Sequence, residues 1–144
     1  MIVKVENVSK AYYKIPVIRE MSLDIERGER IVILGPSGCG KTTFLRMIAG
    51  FIPPDKGRLV IDGQTVADNG KSIIAPESRQ VGMVFQDLAL WPHMTSYKNI
   101  EFGLKAKRIP KTERKGRIDT ILEKIQMVQF KNAYPGELSG GQQQ

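Results

Sequence analysis

The stretch Ile31-Val32-Ile33-Leu34-Gly35-Pro36-Ser37-Gly38-Cys39-Gly40-Lys41-Thr42 decides the fold of this chain. Its first four residues form a continuous apolar run that predicts a strand buried on both faces, and residues 42–49 predict a helix that Gly50 ends. The octapeptide at 35–42 matches the phosphate-loop pattern at every position. A strand, a glycine-rich loop and a helix in this order predict a site where converging backbone N–H groups and a helix N-terminus bind phosphates.

The loop also predicts which residues touch a nucleoside triphosphate. Lys41 is expected to reach the β- and γ-phosphates, the Thr42 hydroxyl to coordinate Mg²⁺, and the Thr43 hydroxyl to contact the α-phosphate. The pattern is specific for phosphates but not for a reaction, because kinases, GTPases and motor ATPases share it. The predicted nucleotide-binding residues of this segment lie in the loop or the first turn of its helix: Gly35, Pro36, Ser37, Gly38, Cys39, Gly40, Lys41, Thr42 and Thr43.

The composition is that of a basic protein without the features of a secreted or membrane-spanning one. The 144 residues carry a net charge of +7, and no apolar run approaches the roughly 18 residues of a membrane span. The single cysteine, Cys39, excludes an internal disulfide and suits a reducing compartment. We therefore expect a soluble, cytoplasmic chain.

Much of the excess positive charge falls between residues 105 and 131. The apolar residues of this region recur at helical spacing, and no aromatic residues alternate with the lysines and arginines. This pattern favours a solvated basic helix face, so no nucleic-acid partner is expected. Attraction to an anionic membrane surface or to an acidic partner stays open.

The remaining pattern divides the chain into two parts. Residues 2–8, 21–25, 59–61 and 81–85 predict strands. Asp62 and Gly63 after the third of these predict a turn. From Leu88 the pattern becomes helical, with one apolar face at Ile118, Ile121, Leu122, Ile125 and Val128. We expect an α/β part over residues 1–87 and a mainly helical part over residues 88–144.

A second motif, Leu138-Ser139-Gly140-Gly141-Gln142, lies close to the C-terminal end of the sequence. Ser139 is a good helix N-cap, and the two glycines behind it leave backbone N–H groups accessible, which predicts a second anion site. By itself the motif is an ordinary capped turn. Downstream of a complete phosphate loop, it resembles the signature of ATP-binding-cassette (ABC) ATPases.

This resemblance implies an α/β phosphate-loop NTPase fold with an antiparallel β part and a helical subdomain. It implies ATP and Mg²⁺ as cofactors and a head-to-tail dimer, in which residues 138–142 of one subunit close over the nucleotide of the other. Gln86 stands where the family has the glutamine that contacts Mg²⁺ and the attacking water, and with Lys41 it is the predicted catalytic residue. Tyr12 stands where an aromatic side chain stacks on adenine, and Tyr13 is the alternative.

Residues 82–95 resemble the importer branch of the family, which serves sugar, polyamine and ferric-iron uptake. The resemblance implies transmembrane partner subunits and a place at the inner face of the cell membrane. Leu88, Trp91 and Met94 are then candidate contacts for a membrane subunit, or they pack inside the helical part. An ABC ATPase with a non-transport role is disfavoured by the Trp91-Pro92-His93 segment.

The 144 residues hold no counterpart of the family's apolar strand that ends in Asp-Glu, nor of its switch histidine. Because that carboxylate pair holds the metal and polarises water, we expect this chain to bind nucleotide without turning it over. The alternatives are thus the coupling ATPase of an importer and a nucleotide-binding module without hydrolysis. Several strands of the central sheet are also expected to be missing.

Overall fold

The computed structural model of the chain describes residues 2–144. They form two compact units, one that ends at Met83 and one that comprises Val84–Gln144. The division falls four residues before the one that the sequence pattern predicts, at Asp87. No helix in the described part of the chain is long and apolar enough to cross a membrane.

The first unit contains a five-stranded antiparallel sheet of β1 (Val3–Tyr12), β2 (Ile15–Ile25), β3 (Lys56–Ile61), β4 (Gln64–Asp68) and β5 (Lys71–Ser72). Their order in the sheet is β2-β1-β3-β4-β5. Two-residue turns join β1 to β2, β3 to β4 and β4 to β5, and the Asp62-Gly63 turn between β3 and β4 confirms the strand and turn predicted there. The predicted strands at 2–8 and 21–25 are present and longer than expected, whereas β4 and β5 were not predicted.

Helix α1 (Lys41–Ala49) packs on this sheet and confirms the helix predicted after the phosphate loop. Its side chains Phe44 and Met47, three residues apart, are buried against sheet residues that include Val5 and Leu59. Gly50 ends the helix in a left-handed conformation with φ 94°, which glycine adopts without steric cost. A short 3₁₀ turn at Pro76–Ser78 follows the sheet.

Two of the predicted strands are wrong. Residues 31–34 and 81–85 form irregular backbone, and the exposed fractions of Val32, Leu34 and Val84 are 78%, 85% and 86%. A strand requires a neighbour whose N–H and C=O groups complete its hydrogen bonds. In residues 2–144 the five strands pair only with one another, so neither segment has such a neighbour. Ile33 and Val81 still pack against the core of the first unit.

The second unit is helical. It comprises α2 (Ser96–Ala106), α3 (Lys111–Lys124), two 3₁₀ turns at Val128–Phe130 and Pro135–Glu137, and the short α4 (Gly140–Gln143). Ile118, Leu122 and Met127 form its buried core. The prediction of one apolar face through Val128 is wrong, because the helix ends at Lys124 and the chain then turns at Gln126, where φ is 57°. Ile125 and Val128 are consequently exposed, and Ile121, within the helix, is exposed as well.

Candidate functional site

The N-terminus of α1 has no side-chain cap among residues 2–144. Gly40, with φ 96°, is its N-cap, and no acidic residue lies in the first turn. The first N–H groups of a helix have no intrahelical acceptor, and the helix dipole makes this end positive. The arrangement provides donors and positive potential for an oxyanion at the position where the sequence predicts phosphate binding.

The Lys41 side chain folds back over the loop. Its Nζ donates to the carbonyl oxygens of Gly35 at 2.7 Å and Pro36 at 2.8 Å, and it lies 3.6 Å from Cys39 Sγ. The ammonium group is therefore held beside the uncapped helix N-terminus by acceptors of the loop itself. Phosphate oxygens are stronger acceptors than carbonyls because they carry charge, so a bound phosphate would take over these bonds.

Close packing fixes the loop against β2. A Cβ at Gly40 would lie 3.0 Å from both Val17 Cγ1 and the Val17 carbonyl oxygen, so only glycine fits without a shift. A Cβ at Gly35 would lie 2.7 Å from Cys39 Sγ. Gly40 is thus required by its close approach to the β2 backbone, whereas at Gly35 a Cβ would meet only the Cys39 side chain. Gly38, with φ 83° and no atom within 4 Å of its Cβ position, is required by its conformation alone.

The same strand connects the loop to Tyr12. Tyr12 ends β1 and pairs with Ile15 of β2, two residues before Val17, a separation of about 7 Å along the strand. The exposed fraction of Tyr12 is 41%, and that of Tyr13, in the turn, is 98%. An aromatic face and the phosphate loop therefore lie along one edge of the first unit.

Asp55 holds the end of β1 in place, a role that the sequence did not reveal. Its carboxylate accepts from Lys10 Nζ at 2.6 Å and from the Ala11 N–H at 2.8 Å. The hydrogen bond from Lys10, and to a smaller extent the one from the Ala11 N–H, holds the pKa of Asp55 below its ordinary value of 3.8. Lys10 Nζ also lies 5.8 Å from the centre of the Tyr12 ring. Only a tertiary contact across 44 residues could identify Asp55.

The fit of the loop to a metal-bound nucleotide rests on its threonines. Thr42 is exposed and Thr43 half-buried at the start of α1, next to Lys41. No group of three His, Cys, Asp or Glu side chains within residues 2–144 is placed to hold a metal ion. Mg²⁺ commonly takes only one or two protein ligands and completes its coordination with phosphate oxygens and water. The Thr42 hydroxyl, at the start of α1, is suited to be such a ligand.

The other predicted site residues belong to the second unit. Gln86 is exposed at the start of the turn at 86–89. Ser139 caps α4, as the sequence predicts: its Oγ accepts from the Gln142 N–H, and Gln142 Oε1 accepts from the Ser139 N–H. Leu138 packs against the core of this unit, and Gly140 and Gly141 are exposed with no atom near their Cβ positions. The roles of Gln86 and of residues 138–142 toward a nucleotide stay predictions.

Trp91 packs partly within the second unit. Its ring lies edge-on to Phe102 at 5.5 Å and to His93 at 6.0 Å, yet its exposed fraction is 45%. Asn99 holds the surrounding segment, because its side chain accepts from the Trp91 N–H and donates to the carbonyl oxygens of Trp91 and Met94. Of the three candidate contacts for a membrane subunit, Leu88 and Met94 are half-buried.

The family model for ABC transporters matches residues 18–144. This chain belongs to the ABC transporter family. The match covers the phosphate loop and the signature together, and it confirms the family predicted from those motifs.

Three ABC relatives from different organisms resemble nearly the whole chain. The spermidine/putrescine import ATP-binding protein of Bacillus thuringiensis (strain Al Hakam) is 48% identical over 99% of this chain and 42% of its own length. The trehalose/maltose import ATP-binding protein of Thermococcus litoralis is 46% identical over 99% and 38%. The Fe(3+) ions import ATP-binding protein of Fusobacterium nucleatum is 46% identical over 99% and 37%. The chain spans about two fifths of the length of these ABC relatives.

Among solved structures, the chain resembles a dimeric ATP-binding cassette in a post-hydrolysis state bound to ADP and Pi. The TM-score is 0.83 at 32% identity, over 98% of this chain and 65% of the other. This likeness confirms the predicted fold class, a part of the α/β phosphate-loop fold of ABC ATPases with an antiparallel sheet and a helical unit.

Proposed function

We propose that this chain is part of the ATP-binding subunit of an ABC importer, which couples ATP binding and hydrolysis to solute uptake. The observation that carries the proposal is the uncapped N-terminus of α1 beside the Lys41 ammonium group, within a chain of the ABC family. The importer function is supported by three relatives whose names describe import ATP-binding proteins.

In this proposal ATP binds with its polyphosphate at the start of α1 and its base toward Tyr12. The backbone N–H groups at 37–43 donate to phosphate oxygens, Lys41 neutralises the β- and γ-phosphates, and Thr42 binds Mg²⁺. Bound Mg²⁺ supplies charge neutralisation on the terminal phosphates. Gln86 serves as a second ligand of the metal and as a positioning group for water.

The proposed partners are a second ATPase subunit and the transmembrane subunits of the transporter. Residues 138–142 are proposed to contact the nucleotide that the partner subunit holds, so that two copies enclose two ATP molecules head to tail. The solved dimeric cassette supports this arrangement. The complex is proposed to lie at the inner face of the cell membrane, with the segment at 88–94 facing the membrane subunits.

For the 144 residues alone we propose nucleotide binding without turnover. The sequence has no Asp-Glu pair at the end of an apolar strand, and phosphoryl transfer to water requires a group that orients the attacking water. Loss of such positioned groups lowers rates by orders of magnitude while binding contacts remain.

The test is titration of a fluorescent ATP analogue with Mg²⁺ into the chain, with phosphate release measured in parallel. Lys41→Ala is the test variant, and Lys71→Ala is the control because Lys71 is an exposed lysine of β5, outside the loop. We expect binding by the wild type and Lys71→Ala, loss of binding in Lys41→Ala, and no phosphate release. Equal affinity in the wild type and both variants would refute the phosphate loop as the site, and phosphate release above background would refute the absence of turnover.

A further inference from the structure

Arg79 is a buried charge that the proposed site does not use. Its exposed fraction is 3%, although it follows an exposed 3₁₀ turn. Among the residues that the structure describes, no carboxylate forms an ion pair with it. Burial without a counter-charge is costly unless the group is fully hydrogen-bonded, and burial lowers the pKa of the guanidinium.

Every N–H group of this guanidinium has an acceptor. Arginine carries five N–H donors in a rigid plane, and Arg79 makes five hydrogen bonds. The acceptors are four backbone carbonyls and one hydroxyl: Ile74 O at 2.9 Å, Met47 O at 2.8 Å, Ile48 O at 3.0 Å, Val66 O at 3.0 Å and Ser72 Oγ at 3.0 Å. The hydrogen bonds of one buried cation therefore connect several backbone segments.

These acceptors belong to separate elements of the first unit. Met47 and Ile48 lie in the last turn of α1, whereas Val66 lies in β4 and Ser72 in β5. The last carbonyls of a helix lack intrahelical donors, and a cation is favourable at this negative end. Arg79 therefore ties the C-terminal end of α1 to the β4–β5 edge of the sheet.

Gly50 leaves room for this network. It follows the last residue of α1 with φ 94°, and a Cβ there would lie 2.6 Å from Arg79 Nε and 2.8 Å from Cζ. Such distances do not occur without displacement of the guanidinium. The Arg79 guanidinium thus occupies the space that a side chain at Gly50 would need.

We propose that Arg79 is a positioning residue for the phosphate loop: it anchors the C-terminal end of α1, and through this rigid helix it fixes the N-terminal N–H groups that receive phosphate. The inference rests on the proposed function. Helix α1 has nine residues, so its ends are only about 14 Å apart and are connected by the continuous backbone hydrogen bonds of the helix. Displacement of the anchored end therefore displaces the donors at the other end.

The experiment compares Arg79→Lys with the wild-type 144-residue chain by two measurements. Lysine can carry the same charge but has only three donors on one nitrogen and no planar fork, so it cannot replace the five hydrogen bonds that join Arg79 to α1, β4, β5 and Ile74. Hydrogen exchange of the amides at 44–50 is measured against that of β1, and the affinity for a fluorescent ATP analogue is measured where both proteins are fully folded. We expect exchange at 44–50 to rise about tenfold more than exchange in β1, and affinity to fall about fivefold or more.

The two measurements separate positioning from mere stability. A structural role alone would raise exchange in α1 and β1 equally, or loosen α1 while the folded protein keeps its affinity, and either result overturns the proposal. If the wild type does not bind the ATP analogue, the proposed function fails, and equal α1 exchange in the two proteins would independently show that Arg79 does not anchor the helix.

A second pair of variants covers the case in which Arg79→Lys does not fold. Gly50→Ala pushes on the guanidinium and removes no polar group, and Gly63→Ala is its control because Gly63 also has positive φ, 76°, with no atom within 4 Å of its Cβ position. We expect Gly50→Ala to loosen α1 selectively and weaken ATP-analogue binding, and Gly63→Ala to do neither. Unchanged affinity in Gly50→Ala, or equal changes in both variants, overturns the proposal.

Discussion

Replacement of Gly40 by alanine tests the contact that seats the phosphate loop on β2. At this residue φ is 96°, and the new Cβ would lie 3.0 Å from Val17 Cγ1, 3.0 Å from the Val17 carbonyl oxygen and 3.3 Å from Ile18 Cγ1. The left-handed conformation costs an L-residue about 1–2 kcal/mol. Forcing an extra methyl group into a packed contact costs a further 1–3 kcal/mol or so. We therefore expect the free energy of unfolding to fall by roughly 2–5 kcal/mol.

Gly38→Ala is the matched control. Gly38 belongs to the same loop and has φ 83°, but no atom lies within 4 Å of its Cβ position. Only the conformational cost of about 1–2 kcal/mol applies there. The difference between the two variants, about 1–3 kcal/mol, isolates the contact with β2.

Urea unfolding monitored by circular dichroism measures the free energies of unfolding of the two variants. Equal losses in the two variants, or a smaller loss in Gly40→Ala, would show that the loop does not rest on Val17. Titration of the ATP analogue into the folded variants adds a second comparison. Because Gly40 is also the N-cap of α1, Gly40→Ala should weaken nucleotide binding more than Gly38→Ala does.

Three further predictions concern the same unit. Lys10 lowers the pKa of Asp55 in the folded state, so the ionised carboxylate stabilises the fold. This stabilisation is complete above about pH 5 and is lost as the pH falls through 3.8 and then through the lower folded pKa. The stability of Asp55→Asn should therefore depend less on pH in the acid range than that of the wild type. Tyr12→Ala should weaken binding of the ATP analogue by about 1–3 kcal/mol, while Tyr13→Ala, which removes a ring that is 98% exposed, should not; equal effects would assign the base to neither ring. Mg-ATP should slow alkylation of the exposed Cys39, and equal rates with and without nucleotide would contradict the loop as its site.

Local pattern sufficed for the elements whose partners are near in sequence or whose signal is a cap. The helix after the phosphate loop, its end at Gly50 and the Ser139 cap follow from residue types that act within one turn. The family and the fold class followed from the two motifs together. These features required no knowledge of which segments meet.

The features that sequence could not provide depend on distant partners. The apolar run at 31–34 has strong strand propensity, but a strand forms only where another strand completes its hydrogen bonds. Neither Arg79 nor Asp55 belongs to a site that the sequence predicts, and the most distant hydrogen-bond partners of the two residues lie 32 and 45 residues away along the chain. Such roles have no periodic signature, since each is set by one tertiary contact.

The two sides of the phosphate loop are held to different degrees, and this difference bears on how the site works. On the helix side, Gly40 rests on β2, and Arg79 bonds the last turn of α1, so Lys41 stands on an element that is fixed at both ends. On the other side, residues 31–34 have no strand partner in the described part of the chain. Ligands gain affinity where donors need no ordering and lose it where backbone must be fixed. The helix side therefore provides the pre-formed part of the proposed site, and any element that pairs with 31–34 would raise nucleotide affinity without touching the nucleotide.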